Sequence, residues 1–390
     1  MAQTWPMSRR RLALLKAADF LGRIVSAPFR AFRRKASAPR LVESALVIEP
    51  WNLGDVVLAT PILAALRARY PRARISLLAQ SHARELLEGS GLVDDFIVAQ
   101  LPWTAQKGKY RLNPRVLRNL RAVVGILRKR QFDLVLDSRM DIRSNILAAM
   151  TGAPYRLGYD IGGGGWLLTH TLPSDRDNSH KIDDWIALLD LLGGAPSLAN
   201  AGRPLPTLVV TEEERSQARK KLAEAGAKAR PFIAYHPGGS HPGKRWPRQN
   251  LEDLMRDLST SLEGSHIVFL GPQEKDSSEW PPNAIVFQEP LRELMALMTC
   301  CDVLVCNDSG PMHVADALGV PVVAIFEIGN PQWFGPSGPR ARVIRGELAG
   351  IGMSAAPLDH PPPNPVEVWR VAAAVKEVLA ERASPAQLYW

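Results

Sequence analysis

Four loops in this chain gather residues able to move a charged group, and each follows a short apolar run. The first reads Glu49-Pro50-Trp51-Asn52-Leu53-Gly54-Asp55 and leads into a helix-like stretch. Gly54 lets the backbone turn tightly, and Asp55 falls at the start of the helix. Asp55 either caps that helix or offers its carboxylate to a ligand, with Asn52 and Gly54 beside it. The second loop, 236–247, contains Gly238, Gly239, Ser240, Gly243, Lys244 and Arg245. Its glycines admit a phosphate close to the backbone, Ser240 adds a hydroxyl, and Lys244 with Arg245 supplies the charge a diphosphate demands. It is not a Walker A loop, because Arg245 and not Ser or Thr follows Lys244. The third, Cys306-Asn307-Asp308-Ser309-Gly310-Pro311-Met312-His313, joins a strand to a helix whose first N–H groups face an anion. Asp308 there is a cap or a site acid, and His313, one turn in, is a site or a core histidine. The fourth, Gly271-Pro272-Gln273-Glu274, offers Glu274 to ribose hydroxyls.

These loops act together only if an architecture collects strand ends. Apolar runs at 45–49, 74–79, 95–99 and 133–137 alternate with helix-like stretches at 56–70, 82–89, 114–130 and 141–151, which is the rhythm of a parallel sheet. A Gly/Pro-rich passage at 193–206 interrupts it, and runs at 231–236, 266–270, 284–288, 302–306 and 321–326 restart it. Ligands of such sheets sit beyond the carboxyl ends of strands, where all four loops lie. The expected organisation is an extension at 1–43, a Rossmann-like domain at 44–204 and a second at 205–390, with the helix-like stretch 365–382 free to pack on either. No period of 20–50 residues repeats, which excludes a solenoid.

The net charge of +9 is local: residues 1–40 hold ten Lys or Arg against the single acid Asp19, leaving the remainder neutral. The body of the chain is therefore no nucleic-acid binder. Within the extension, Leu14, Ala18, Leu21, Val25 and Phe32 recur at helical spacing, and Lys16, Arg23 and Arg30 turn away from them. That pattern, across residues 9–35, suits a helix on an anionic membrane surface, an unstructured basic tail or a transit peptide. Charges interrupt every apolar run, so no spanning helix is expected. Cys300, Cys301 and Cys306 crowd one apolar region and read as small buried hydrophobes. Asp175-Arg176-Asp177 has the spacing of a metal-binding Asp-x-Asp, but without a preceding strand it reads as a solvated turn. Gly162 to Gly165 likewise lacks the strand and helix of a dinucleotide fingerprint.

Gly54-Asp55-Val56-Val57 with Ala59 to Leu66 and Tyr70-Pro71, then His236-Pro237-Gly238 with Lys244-Arg245-Trp246-Pro247, then Asn307 to His313, together resemble glycosyltransferase family 9, the bacterial heptosyltransferases. The resemblance spans roughly residues 44 to 382. It implies a GT-B architecture, two Rossmann-like domains facing across a cleft, with inverting, metal-independent transfer from a nucleotide sugar such as ADP-heptose onto a glycan or glycolipid acceptor. It makes Asp55 the general base; beside that, the residues of the first half offer Asn52 and Gly54 next to it and Arg143 and Arg156 as positive contacts for the acceptor, either arginine being alternatively a structural ion pair. It gives Lys244, Arg245, Asp308, Ser309, Gly310 and His313 to the donor, with Ser240 and Glu274 matching less closely. No cofactor is implied, and the setting is cytoplasmic, at or near the inner face of a membrane. Two alternatives remain beside it: a non-catalytic GT-B binding protein at the membrane, and another GT-B enzyme such as a sugar-nucleotide epimerase.

Overall fold

The computed structural model describes residues 17, 19–25, 41–104, 113–173, 179–193, 203–271, 280–350, 362 and 364–383. Packing separates Thr4–Pro204 from Leu205–Trp390 as two compact units.

The N-terminal unit is built on six parallel strands: β1 (Ser44–Ile48), β2 (Arg74–Ala79), β3 (Asp95–Val98), β4 (Leu134–Leu136), β5 (Tyr155–Tyr159) and β6 (His170–Leu172). Their order is β3-β2-β1-β4-β5-β6. The central strands are nearly continuous apolar runs because helices cover both faces of a parallel sheet. Leu46, Ile48, Leu78 and Val135 of the sheet pack with Leu127 and Phe132 in one buried cluster. The expected helix over 56–70 is two helices, Leu53–Leu58 and Thr60–Arg69. Pro61 has no N–H to continue the ladder, so the chain turns at Ala59 and restarts.

The C-terminal unit repeats the plan with β7 (Phe232–His236), β8 (Ser265–Phe269), β9 (Ala284–Phe287), β10 (Val303–Asn307), β11 (Val322–Gly329) and β12 (Ala341–Ala349), all parallel, in the order β12-β11-β10-β7-β8-β9. Both sheets thus follow the 3-2-1-4-5-6 Rossmann order. The helix Val368–Ala383 belongs to this unit, where Val371, Val375 and Val378 pack with Leu251, Leu254 and Leu258 of the helix Arg248–Ser261. Cys300, Cys301 and Cys306 are buried free thiols. Strands β5, β6 and β12 were not legible as apolar runs: β5 and β12 carry arginine and glycine inside them, and β6 is three residues long.

Candidate active site

In a sheet of this order the ligand crevice lies outside the carboxyl ends of the first and fourth strands, where the connections diverge. In the N-terminal unit those are β1 and β4, so residues 49–55 and 137–139 emerge side by side. Asn52 caps the helix Leu53–Leu58, and its N–H donates to Asp55 Oδ2 at 3.2 Å. Asp55 is therefore the acid of a capping box, reaching back from the third helical position. Its other oxygen accepts from Arg139 Nη1 at 2.7 Å. The capping alternative offered by the sequence is realised, and it leaves the second carboxylate oxygen to Arg139.

Arg139 is held from three sides. Its guanidinium lies 4.4 Å from the centre of the Trp51 ring and 3.9 Å from Glu49, and its backbone N–H donates to Asp137 at 2.9 Å. Glu49 is fully buried, and neither carboxyl oxygen has a hydrogen-bond partner among the described residues. Burial pushes its carboxyl up to about 8, against the opposing pull of Arg139. Asp137, also wholly buried, is raised by burial to about 7. Lys181 donates to the Ser138 carbonyl and hydroxyl at 2.7 and 2.6 Å, and burial lowers its ammonium to about 8, with the Arg139 charge acting in the same direction. Because burial raises the Glu49 carboxyl and favours its neutral form, the charge of Arg139 is directed mainly at Asp55.

Arg143, in the first turn of the helix Ile142–Met150, donates through Nε to both Asp141 oxygens at 2.9 Å. It also lies 5.8 Å from the ring centres of Trp51 and Trp103, which places it near the Asp55 cluster. Asn52 is exposed and Gly54 buried beneath the turn. Arg156 is elsewhere: it is the second residue of β5, buried, and donates to the Leu167 carbonyl at 2.9 Å and to that of Ala153. Its guanidinium ties β5 to the chain around it.

The equivalent pair in the C-terminal unit is β7 and β10. Asn307, the last residue of β10, donates to the carbonyls of Pro237 and Gly238 at 2.8 and 3.0 Å and accepts from Trp246 N–H at 3.0 Å. Trp246 is buried and anchored by its indole N–H to the Val366 carbonyl at 2.8 Å. One asparagine thus fixes the loop after β7 to the end of β10. Lys244, closing the short 3₁₀ turn Pro242–Lys244, meets Asp308 Oδ2 at 2.5 Å, with both side chains largely buried. Gly329 makes room for that acid: its φ is +94°, and a Cβ there would sit 2.6 Å from Asp308 Oδ2. Ser309 stands at the cap of the helix Gly310–Ala317 with its hydroxyl buried and without a hydrogen-bond partner among the described residues, and His313 is buried one turn in. Ser240 is exposed, and Arg245, exposed too, donates to the Gly239 carbonyl at 2.9 Å. Glu274, Asp175 and Asp177 lie outside the described residues. An ammonium aimed by a carboxylate, beside the amides of a helix start, is suited to hold a phosphate group.

The sequence reading missed Glu49, Arg139 and Lys181 as site groups, and it missed the joining role of Asn307. Residues 137–139 follow an apolar run, so the rule that drew attention to the other loops applied there as well.

Two Rossmann-ordered parallel sheets, each with ionisable groups gathered where its connections diverge, define an α/β protein of the GT-B class. A family model described as glycosyltransferase family 9 (heptosyltransferase) matches residues 120–351. The chain belongs to that family and is a glycosyltransferase. Lipopolysaccharide heptosyltransferase 2 of Escherichia coli K12 is 28% identical over 317 residues, which cover 77% of this chain and 87% of that protein. Among solved structures, a glycosyltransferase family 9 protein from Veillonella parvula is similar with a TM-score of 0.70 at 25% identity, covering 89% of this chain and all of that one. The E. coli ADP-heptose lipopolysaccharide heptosyltransferase II is similar with a TM-score of 0.67 at 24% identity, over 87% of this chain and all of that one.

Proposed function

We propose that the chain is an inverting, metal-independent heptosyltransferase that moves heptose from ADP-heptose to a hydroxyl of a lipopolysaccharide-core-type acceptor. The donor and acceptor classes follow the names of the similar proteins. The observation that carries the mechanism is the Asp55 carboxylate, held at the strand ends of the N-terminal unit by Arg139 on one oxygen and the Asn52 N–H on the other. In this reading Asp55 takes the proton of the attacking hydroxyl as its oxygen bonds to the anomeric carbon, and the bond from that carbon to the diphosphate breaks on the opposite face. ADP leaves with its charge met by Lys244 and by the amides at Ser309 and Gly310. Asp308 keeps Lys244 aimed at the phosphates. Arg143, close to Trp51 and Trp103, serves the acceptor. A lipid-anchored acceptor places the enzyme in the cytoplasm at the inner face of the membrane.

A panel of nucleotide sugars tests the donor by thermal shift. A true donor present at 100 times its Kd adds about 2.7 kcal/mol of stability. Stabilisation by ADP-heptose above other ADP- and UDP-sugars, followed by transfer that chelator leaves unchanged, supports the reading. Stabilisation by a different nucleotide sugar alone would replace the donor, and loss of transfer with chelator would remove the metal-independent mechanism.

A further inference from the structure

Residues 19–25 are helical and lie against the loop Asp160–Trp166. Asp19 accepts from the Gly164 N–H at 2.6 Å and from the Trp166 indole N–H at 3.1 Å. Arg23 donates to Asp19 at 2.9 Å and to the two oxygens of Asp160 at 2.7 and 3.2 Å. Between them Gly22 lies against the Trp166 ring so closely that a Cβ would fall 2.1 Å from it. At about 100° per residue, Asp19, Gly22 and Arg23 share one side of the helix, and Phe20, Leu21, Ile24 and Val25 share the other. Those four are 64%, 60%, 54% and 68% exposed. A surface helix ordinarily turns its apolar stripe to the core. This one docks through its polar side and glycine and turns the apolar stripe outward.

Charge identifies what the stripe meets. Asp19 is the only acid among residues 1–40 and is turned inward, while the same segment holds ten Lys or Arg. Apolar side chains among cations fit an anionic lipid surface. A second copy fits poorly: a stripe of two helical turns falls far short of the roughly 800 Å² per partner of a standard interface. Two such basic segments would also repel.

We propose that the stretch 19–25 is a docked membrane foot, which lays Phe20, Leu21, Ile24 and Val25 into an anionic bilayer while Asp19, Gly22 and Arg23 clamp it to the protein. The proposal gives the glycine run a purpose. Gly162, Gly163 and Gly164 have φ of +73°, +91° and +78°, and a Cβ at Gly162 would lie 2.0 Å from the Met140 carbonyl oxygen. Asn145 Nδ2 donates to the Gly163 carbonyl at 2.9 Å, so the loop that carries the foot rests on the segment containing Arg143. Lipid contact would then lie on the side of the unit that serves a lipid-borne acceptor. Only this last step rests on the functional reading.

The full chain is tested by sedimentation with phosphatidylcholine vesicles made with or without phosphatidylglycerol. The expected result is binding that requires phosphatidylglycerol and drops at least tenfold in the double variant Phe20→Ser, Ile24→Ser at unchanged melting temperature. Equal binding by the double variant overturns the proposal, since the basic residues alone would then account for it. So does a dimer that this variant dissolves in the absence of lipid, which would make a second copy the occupant. Trypsin reports the clamp: cleavage after Arg23 is expected to be slow in the parent and faster in Gly22→Val, and equal rates overturn the docking. No arm uses donor, acceptor or turnover, so a failed transfer assay leaves these results independent.

Discussion

Replacing Arg139 by methionine removes one charge and leaves a side chain of similar length. The guanidinium gives Asp55 a charge-assisted hydrogen bond at 2.7 Å, a type worth about 1.5–3 kcal/mol. Methionine keeps the aliphatic stem but not the guanidinium that lies 4.4 Å from the Trp51 ring centre, so that cation–π contact goes with the charge. Glu49 adds little to the penalty, because burial raises its carboxyl to about 8 and so favours the neutral form. Water reaches part of the pair, with side-chain exposures of 12% and 15%. That screening puts the expected loss at about 2 kcal/mol. The shift is read as the urea midpoint of the N-terminal unit's transition, since two units need not unfold together. The catalytic effect is separate: Asp55 keeps only the Asn52 N–H, and displacement of a reacting group by about 1 Å costs on the order of 100-fold in rate. Single-turnover transfer should therefore fall by about that factor while donor affinity, which the proposed function assigns to Lys244 and its neighbours, stays within about twofold. Arg139→Lys should restore part of the rate. A methionine variant with parental stability and parental turnover would refute the role assigned to the pair.

Three further perturbations separate the parts of the account. Lys244→Met should lower kcat by about 10²–10³-fold; adding Asp308→Asn, which removes the unpaired buried acid left behind, should recover melting temperature without recovering activity. Gly329→Ala places a methyl group 2.6 Å from Asp308 Oδ2 at a φ of +94°, and should weaken donor binding in calorimetry with a stability loss of more than about 1 kcal/mol. Glu49 has its folded value raised to about 8 from 4.5, so the folded chain holds a proton that the unfolded chain releases between those limits. Its contribution is complete below about pH 4.5 and lost as pH rises through about 8. Glu49→Gln should flatten the decline of urea stability across that window, and an unchanged slope would reject the burial cause.

Much of the fold was legible because parallel strands buried on both faces announce themselves as apolar runs. β5 and β12 did not, since Arg156, Gly158, Arg345 and Gly346 break the pattern and only tertiary pairing makes them strands. Asp55, Lys244, Asp308 and Ser309 were legible as residues in loops after strands. Their partners were less so: the tie between Asp55 and Arg139 spans 84 positions, and only the β1–β4 adjacency supplies it. Arg156 was legible as a basic residue that could meet an acceptor or make a structural tie, and the sequence could not show that two of its guanidinium hydrogen bonds end on the Leu167 and Ala153 carbonyls. In the tail, the helical spacing of Leu21 and Val25 was readable, as was Arg23 turning away from them. That Arg23 turns toward Asp160 and not toward water was not readable, since position 160 lies far along the chain.

The central claim is that the Asp55 carboxylate takes the proton of the acceptor hydroxyl. Asp55→Asn keeps the shape and can still accept from Arg139, but it is no longer a base. Transfer from ADP-heptose to a lipopolysaccharide-core acceptor, measured in a single turnover beside calorimetric donor affinity, tests it directly. The account predicts transfer reduced at least about 10²-fold with donor affinity unchanged, and transfer within a few-fold of the parent would contradict it.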